Sequence, residues 1–344
     1  MCRDGDRESP QPCPGPARTV CSGAVGGTDT GLWDLLSDES IFCISFGNQH
    51  LGPLNISPVF FLRGPGHEQK DLMVQVNGGK FTMGTNAPDG KDGERPTKQV
   101  TVKRFAIDKY PVTNQNFREF VRATKYKSEA ETFGWSFVFE DFVTDELKKK
   151  VSRKLESAPW WLPVERAFWR QPTGPGSGIK EKLDFPVLQI SWNDAQVYCK
   201  WLGKRLPTEE EWEFAARGGL KGNTYPWGNK FKKNRSNLWQ GKFPTLDTAE
   251  DGKMNQIANI GHCIVHKNAI QSNQNDTNKS TNCNLFLSIG LFDLLGNTWE
   301  WTSTEYIPPG QSNTPSRQKM YVLRGASWID TLDGAANHKA RVTT

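Results

Sequence analysis

Cysteine thiolates are nucleophiles and soft-metal ligands, and this chain contains seven cysteines. Four of them lie within the first 43 residues, and the others are widely spread: Cys2, Cys13, Cys21, Cys43, Cys199, Cys263 and Cys283. No two stand at the C-x-x-C spacing that is typical of zinc sites. The pattern argues against a zinc site, and the odd number leaves at least one thiol unpaired.

A second set of residues has oxygen ligands at a regular spacing. The segment D-x-x-G-x-T-x-E places two carboxylates around a glycine turn, at Asp293, Gly296, Thr298 and Glu300. Hard cations such as calcium prefer oxygen ligands of this kind. Asp and Asn beside Gly are also common turn formers, and the residues alone favour that simpler interpretation.

The composition limits the classes of function. The net charge of +5 over 344 residues is mild, and the basic run at 148–154 is typical of a solvated helix face, so we expect no nucleic-acid partner. No stretch approaches the roughly 20 apolar residues of a membrane helix, so we expect no membrane insertion. The first 30 residues lack the apolar core of a signal peptide, which taken alone indicates a cytosolic protein.

The chain divides into regions of different character. Only 36% of the residues are apolar, but 13 Trp and 19 Phe supply large buried areas, as expected for a loop-rich fold of short elements. Residues 1–72 are rich in Gly, Pro and Ser and are predicted to be disordered. A folded domain is predicted over 73–344, interrupted at about 253–288 by a polar insertion that reads as a poorly ordered loop.

The domain is predicted to begin at Met73 with a hairpin, in which M-V-Q-V-N-G-G-K-F-T-M-G (73–84) forms a strand, a glycine turn and a second strand, with Asn77, Gly78 and Gly79 at the positive-φ positions of the turn. A single strand is predicted at 99–108.

Three helices have recognisable start signals. Thr113 is predicted to cap the first and Asn193 the second. Thr208 and Glu211 form a capping box for the third, which is expected to bury Trp212 and to end at Gly218.

Seven blocks follow one another in an order that is more specific than any one of them. They are V-N-G-G-K-F-T-M-G-T (76–85), Y-P-V-T-N-Q-N-F-R-E-F-V (110–121), the run from F-P-V-L-Q-I-S-W to A-R-G-G (185–219), Y-P-W-G-N (225–229), N-L-W-Q-G (237–241), L-L-G-N-T-W-E-W-T (294–302) and V-L-R-G-A-S-W (322–328). With these blocks the chain resembles the formylglycine-generating enzyme family, also called the sulfatase-modifying factor family.

The resemblance implies one α+β domain with little regular secondary structure, in the formylglycine-generating-enzyme fold, which is related to the C-type lectin fold. It also implies residence in the lumen of the endoplasmic reticulum. Active members of the family there oxidise a cysteine of newly made sulfatases to formylglycine.

Active members use a pair of cysteines to bind copper(I), a soft metal suited to thiolates. In this chain the two positions fall on Asp330 and Ala335, and no cysteine follows Cys283. A carboxylate and a methyl group cannot replace a thiolate pair. The resemblance therefore predicts a protein that is not an enzyme and that binds no copper.

Other family features carry over to matching positions. Ser327 and Trp328, with Asp330, are expected in the substrate groove, although Trp328 fits a core position equally well. The resemblance also implies structural calcium at two sites. One would use Asn237, Leu238, Asp251 and Lys253, and the other Asp293, Gly296, Thr298 and Glu300.

Two further expectations concern covalent modification. Of the N-x-S/T sequons at Asn55, Asn234, Asn275 and Asn278, the resemblance favours Asn234 as the glycosylated one. The family also predicts a disulfide at Cys199, but its expected partner lies in a segment beyond the point at which this sequence stops. We therefore expect that the partner of Cys199 is missing from this chain.

The main functional hypothesis is a non-catalytic protein that binds sulfatases or formylglycine-generating enzyme itself and modulates the activation of sulfatases by inhibiting it. An oxidase that makes formylglycine by another route is the first alternative. A lectin-like carbohydrate-binding module is the second, although the chain lacks the E-P-N and Q-P-D tripeptides of calcium-dependent lectins. A homodimer is also possible.

Overall fold

The computed structural model of the chain describes residues 3–4, 73–152, 154–248, 290–308 and 319–344. The predicted mixed architecture with little regular secondary structure is confirmed, because the helices and strands are short. In chain order they are β1 (Arg3–Asp4), β2 (Met73–Val76), β3 (Gly79–Met83), β4 (Lys98–Val102), β5 (Phe105–Asp108), α1 (Asn114–Thr124), α2 (Glu129–Phe133), β6 (Trp135–Phe139), α3 (Asp145–Lys148), β7 (Trp161–Glu165), α4 (Trp192–Trp201), β8 (Lys204–Arg205), α5 (Glu209–Arg217), β9 (Gly241–Lys242), β10 (Leu246–Asp247), β11 (Glu300–Tyr306) and β12 (Met320–Arg324).

The described strands pair in antiparallel twos: β1 with β8, β2 with β5, β3 with β4, β6 with β7, β9 with β10, and β11 with β12. The predicted hairpin between β2 and β3 is therefore wrong, although both strands exist. Together they form one long arm that pairs with β4 and β5, and the predicted single strand at 99–108 is divided between those two.

Gly78 lies where the arm is interrupted, between β2 and β3. A positive φ is not the reason for glycine at this position. None of Asn77, Gly78 and Gly79 has a positive φ. A Cβ atom at Gly78 would instead lie 2.2 Å from the carbonyl oxygen of Val102 on the opposite arm. Close backbone approach, rather than turn geometry, is the reason that glycine is required there.

Two of the three predicted helix starts are confirmed. Thr113 caps α1 and Thr208 caps α5 in reciprocal capping boxes, and α5 ends at Gly218 in the left-handed conformation. The start of α4 was placed two residues too late, because Ser191 is the cap and its hydroxyl accepts a bond from the backbone N–H of Asp194. Serine and asparagine are both good caps, so local sequence does not discriminate between them.

The core forms around two of the helices. Trp212, Ala215 and Ala216 of α5 pack against the β2–β5 ribbon and Leu294. A second cluster joins Phe117 and Phe120 of α1 to Tyr198 of α4 and to Trp169. In the part of the chain that the structure describes, no helix combines the length and apolar character needed to cross a membrane.

Cys199 is also buried in this second cluster, and it is disulfide-bonded. The expectation that its partner is missing from this chain is therefore wrong, and the partner lies outside the described residues.

Strand β1, which falls within the segment 1–72, pairs with β8 just after α4. Part of the N-terminal segment thus reaches the same side of the domain as Cys199.

A buried ionic cluster links α5 to three other segments. Glu213, fully buried, accepts hydrogen bonds from Arg217 Nη2 at 2.6 Å and from Arg324 Nη2 of β12 at 2.5 Å. It also accepts from the backbone N–H of Gly84, at 2.8 Å. Arg324 Nη1 in turn donates to the carbonyl oxygen of Thr343, at 2.9 Å. The cluster fixes β12 and residues 342–344 against α5.

Glu213→Gln tests this cluster, because it removes the buried negative charge to which both guanidinium groups bond, although Arg324 still pairs with Glu209 at 3.2 Å. We expect the free energy of unfolding to fall by about 3–5 kcal/mol, measured by urea denaturation. Glu210→Gln on the same helix is the control, since Glu210 is not buried, and it should change the stability by about 0.5 kcal/mol or less. Equal effects of the two substitutions would contradict the central role of Glu213.

Candidate functional site

A cavity with a volume of about 400 Å³ opens among the described residues, and we call it the groove. Its walls come mainly from 136–139 in β6, 186–191 before α4, 297–301 at the start of β11, and 327–328 after β12. Nine aromatic residues contribute to its lining: Phe117, Phe137, Phe139, Phe142, Trp161, Tyr198, Trp299, Trp301 and Trp328. The groove is therefore an apolar, aromatic site with a few polar groups, as is usual for ligand pockets.

Ser327 and Trp328, which the resemblance places in a substrate groove, line this cavity. Trp328 is also buried, at 6% exposure, and its ring lies 4.9 Å from each of the rings of Phe139 and Phe142. Trp328 thus packs in the core and also contributes to a wall of the groove.

Asp330 lies behind the groove wall rather than on it. One carboxylate oxygen accepts hydrogen bonds from the backbone N–H of Ser327 at 2.7 Å and from its hydroxyl at 2.8 Å. The carbonyl oxygen of Asp330 also accepts from the backbone N–H of Trp239, at 3.0 Å. Asp330 therefore holds the turn that presents Ser327 to the groove.

The environment of Asp330 disfavours its charge. The side chain is 1% exposed, and burial raises the pKa of its carboxyl to about 6. The bonds from Ser327, the nearby His338 and the indole of Trp299 favour the charged form but do not outweigh burial. Near neutral pH this position holds a desolvated carboxylate.

Ala335, the second position matched to the family's cysteine pair, is exposed on a turn, where its backbone N–H donates to Thr331 Oγ1 at 2.7 Å. Within the described ranges, no three His, Cys, Asp or Glu side chains converge to hold a metal ion. Neither Asp330 nor Ala335 supplies a soft ligand or a thiol nucleophile.

Gln189 is a groove residue that sequence reasoning missed. It adopts φ +60°, which is unusual for a residue other than glycine. Its side-chain amide bonds to Ser136, Phe137 and Pro172, all of which line the groove. A polar residue inside the apolar run P-V-L-Q-I was the signal that could have identified it.

The residues of the second predicted calcium site lie between Asp293 and the first residue of β11, and two of them, Thr298 and Glu300, also line the groove. Glu300 is buried; one carboxylate oxygen accepts from the indole N–H of Trp212 at 2.9 Å, and the other has no hydrogen-bond partner among the described groups. Burial raises the pKa of Glu300, and the neighbouring carboxylate of Asp293 raises it further. An unsatisfied buried oxygen beside a second carboxylate fits a hard cation such as calcium.

The first predicted calcium site is only partly described, because Asp251 and Lys253 lie outside the described residues. Asn237 and Leu238 are buried beside the second site. The carbonyl oxygen of Asn237 accepts from the backbone N–H of Asn297 at 2.8 Å, and its amide donates to Asn297 Oδ1 at 3.0 Å. Asn237 therefore braces the turn that carries Gly296.

The predicted glycosylation residue, Asn234, lies in a 3-10 turn at Lys233–Arg235. This turn follows the aromatic cluster of Tyr225, Trp227 and Phe231, and it precedes Asn237. The other three sequons, at Asn55, Asn275 and Asn278, lie outside the described residues.

Comparison with known proteins agrees with this geometry. Residues 63–343 match the model of the sulfatase-modifying factor enzyme 1-like domain. The chain is 61% identical over 279 residues to inactive C-alpha-formylglycine-generating enzyme 2 of Bos taurus, covering 81% of this chain and 83% of the relative. It is 59% identical to the protein of that name in Mus musculus, covering 81% of each. Formylglycine-generating enzyme of Mus musculus is 45% identical over 235 residues, which is 67% of this chain and 57% of the relative.

The buried carboxylate of Asp330 generates a prediction about pH. Its folded pKa of about 6 exceeds the ordinary value of 3.8, so its contribution to stability is fully present below pH 3.8 and is lost as pH rises through about 6. Asp330→Asn removes the charge and keeps an oxygen for Ser327. We expect the variant to be more stable than the wild type by about 1–3 kcal/mol at about pH 7.5, with little difference at about pH 4.

Urea denaturation at the two pH values measures this difference. Asp333→Asn is the matched control, because Asp333 lies on the same turn but is exposed, and it should not reproduce the pH-dependent gain. A wild type that is more stable than Asp330→Asn at neutral pH would show that the two bonds from Ser327 outweigh desolvation.

Proposed function

The chain belongs to the family of the sulfatase-modifying factor enzyme 1-like domain, and from that premise we propose that it is a non-catalytic member that binds sulfatases or formylglycine-generating enzyme and inhibits sulfatase activation. The absence of catalysis is supported by the two relatives named inactive, at 61% and 59% identity. It is also supported by Asp330 and Ala335, neither of which is a thiol.

The observation that carries the proposal is the coexistence of a formed groove with a buried carboxylate behind it. Asp330 bonds to both the backbone N–H and the hydroxyl of Ser327, so the turn that lines the groove is held without a thiolate. A site that keeps its walls and lacks its reactive group can bind a peptide without converting it. Such a protein would compete with the active enzyme for the same segment of a sulfatase.

An extended peptide is the occupant we propose for the groove. Its aromatic walls can take apolar peptide side chains and leave the backbone of the peptide to bond at the few polar groups. The lectin-like alternative is the weaker one, because the chain lacks the E-P-N and Q-P-D tripeptides of calcium-dependent lectins. The oxidase alternative would require a redox centre other than the thiolate pair, and neither Asp330 nor Ala335 offers one.

Calcium is part of the proposal as a structural ion. Asp293, Glu300, the carbonyl oxygen of Gly296 and Thr298 would hold it, and it would neutralise two neighbouring carboxylates beside the groove. The first site, with Asn237, Leu238, Asp251 and Lys253, is proposed on the resemblance alone. We propose no copper.

We also propose that the protein functions in the lumen of the endoplasmic reticulum, with a glycan at Asn234, and that it can form a homodimer. The family resemblance supports the compartment, and the disulfide at Cys199 suits an oxidising environment.

Peptide binding is tested with a fluorescently labelled synthetic peptide that spans the modified cysteine of a sulfatase. We expect saturable binding by fluorescence anisotropy, and Phe137→Ala should weaken it at least about tenfold, because the Phe137 ring lines the groove. Phe133→Ala is the matched control, since Phe133 is 42% exposed and lies outside the groove. Failure of the wild type to bind sulfatase peptides would contradict the proposal for that partner.

The same peptide separates a binding protein from an oxidase. Mass spectrometry should find no formylglycine after incubation with this protein, whereas formylglycine-generating enzyme serves as the positive control. Added in excess, the protein should slow conversion by that enzyme. Conversion by this chain alone would establish the oxidase alternative instead.

Calcium is tested by thermal unfolding with and without a chelator. A ligand at about 100 times its Kd stabilises by about 2.7 kcal/mol, so we expect chelation to lower the Tm by about 5–10 °C. Glu300→Gln should abolish most of this difference. Glu305→Gln on the same strand should retain it, because that carboxylate pairs with Lys319 at the surface. A wild-type Tm unchanged by chelation would count against the ion.

A further inference from the structure

Three separate segments of the groove wall meet at a single side chain, that of Gln189. Its amide nitrogen donates to the carbonyl oxygen of Phe137 at 3.0 Å and to that of Pro172 at 2.8 Å. Its amide oxygen accepts from the hydroxyl of Ser136 at 2.6 Å. Both N–H donors and the oxygen are thus used, and every partner residue lines the groove.

The backbone of Gln189 supports the same conclusion from an independent measurement. Its φ of +60° lies in the left-handed region, which is unfavourable for a side-chain-bearing residue. A strained residue persists when its surroundings fix it, and here three hydrogen bonds do so. Glycine would adopt this conformation without strain but would provide no amide.

We propose that Gln189 is a positioning residue that holds strand β6 and the turn at 171–174 at the distance from the 186–191 segment that peptide binding requires. The expected effect on peptide binding rests on the proposed function, whereas the expected effect on the spacing of the groove walls does not. Without the amide, the carbonyl groups of Phe137 and Pro172 lose their common donor, and the two walls are free to separate.

Two substitutions distinguish a role of the Gln189 side-chain hydrogen bonds from a role of its backbone conformation alone. Q189E has the same shape as glutamine, but it replaces both donors with an oxygen facing two carbonyl oxygens, so it should push the walls apart. Q189G relieves the positive φ and deletes the amide. If the side chain is the anchor, Q189G also loosens the groove; if only the backbone conformation matters, Q189G behaves like the wild type or is more stable.

The first measurement is hydrogen–deuterium exchange, which needs no ligand. In both variants we expect at least about tenfold faster exchange at the amides of 136–139 and 171–174, with unchanged exchange in α5. Q99E is the matched control, because the side-chain amide of Gln99 also donates a hydrogen bond, to Thr82 Oγ1, but Gln99 is exposed and lies outside the groove. Wild-type exchange at both wall segments in both variants would overturn the proposal.

The second measurement is affinity for the labelled sulfatase peptide. Q189E should bind at least about tenfold more weakly than the wild type at neutral pH. Part of the loss should be recovered near about pH 5, relative to the wild type at the same pH, because a protonated glutamic acid can donate one hydrogen bond again. A structural defect unrelated to the donors would not show this recovery.

The two proposals fail in different ways. If the wild type does not bind the peptide but the exchange pattern is as expected, the binding function is wrong and the positioning role of Gln189 stands. If the wild type binds and Q189E binds equally well at all pH values, Gln189 does not position the groove for the peptide and the inference is wrong.

Discussion

Glu213 is buried in the middle of α5, where an unpaired charge would be strongly destabilising. Its two oxygens must therefore meet donors. Arg217, one turn along the helix, is one of them, and the other two come from distant parts of the chain: Gly84 after β3 and Arg324 at the end of β12. Satisfying one carboxylate thus fixes the positions of two distant segments relative to α5.

The position of the groove depends on the ionic cluster around Glu213. Residues 325–328 follow directly on Arg324, so the guanidinium that pairs with Glu213 also determines where the Ser327 turn begins. Gly325 is required there, because it has φ +101° and a Cβ atom would lie 3.1 Å from the ring of Trp212. The indole N–H of that same Trp212 holds Glu300. Helix α5 therefore places both the groove turn and the carboxylate that we propose as a calcium ligand.

Local interactions made part of this structure predictable from the sequence. Capping at Thr113 and Thr208 depends on side chains within three residues, so those helix starts were found correctly. The family resemblance directed attention to Ser327 and Trp328, and both line the cavity, whereas their role in binding stays a prediction. The pairing of β2 with β5 was missed, because a strand's partner is chosen by tertiary packing and the nearby glycines favoured a hairpin.

The roles of Glu213 and Gln189 were not predictable for a related reason. Both are polar residues among apolar neighbours, and their function depends on partners that are remote in sequence. A local pattern shows that such a residue is unusual, but it does not show what the residue bonds to. The partner of Cys199 was misjudged in the same way, since the family pattern pointed beyond the end of this sequence while the chain supplies another cysteine.

Binding and catalysis are physically separable in this fold because they depend on different atoms. Catalysis in the family needs two thiolates, whereas the groove needs only that its walls be held. Here Asp330 holds the Ser327 turn with two hydrogen bonds, and Gln189 holds two further wall segments with three. If position 330 corresponds to one of those thiolates, as we propose, a carboxylate there removes a copper ligand and still supplies the acceptor that fixes the wall. Loss of the reactive group therefore does not entail loss of the groove, which is the condition under which a non-catalytic member can still compete for the substrate of an active one.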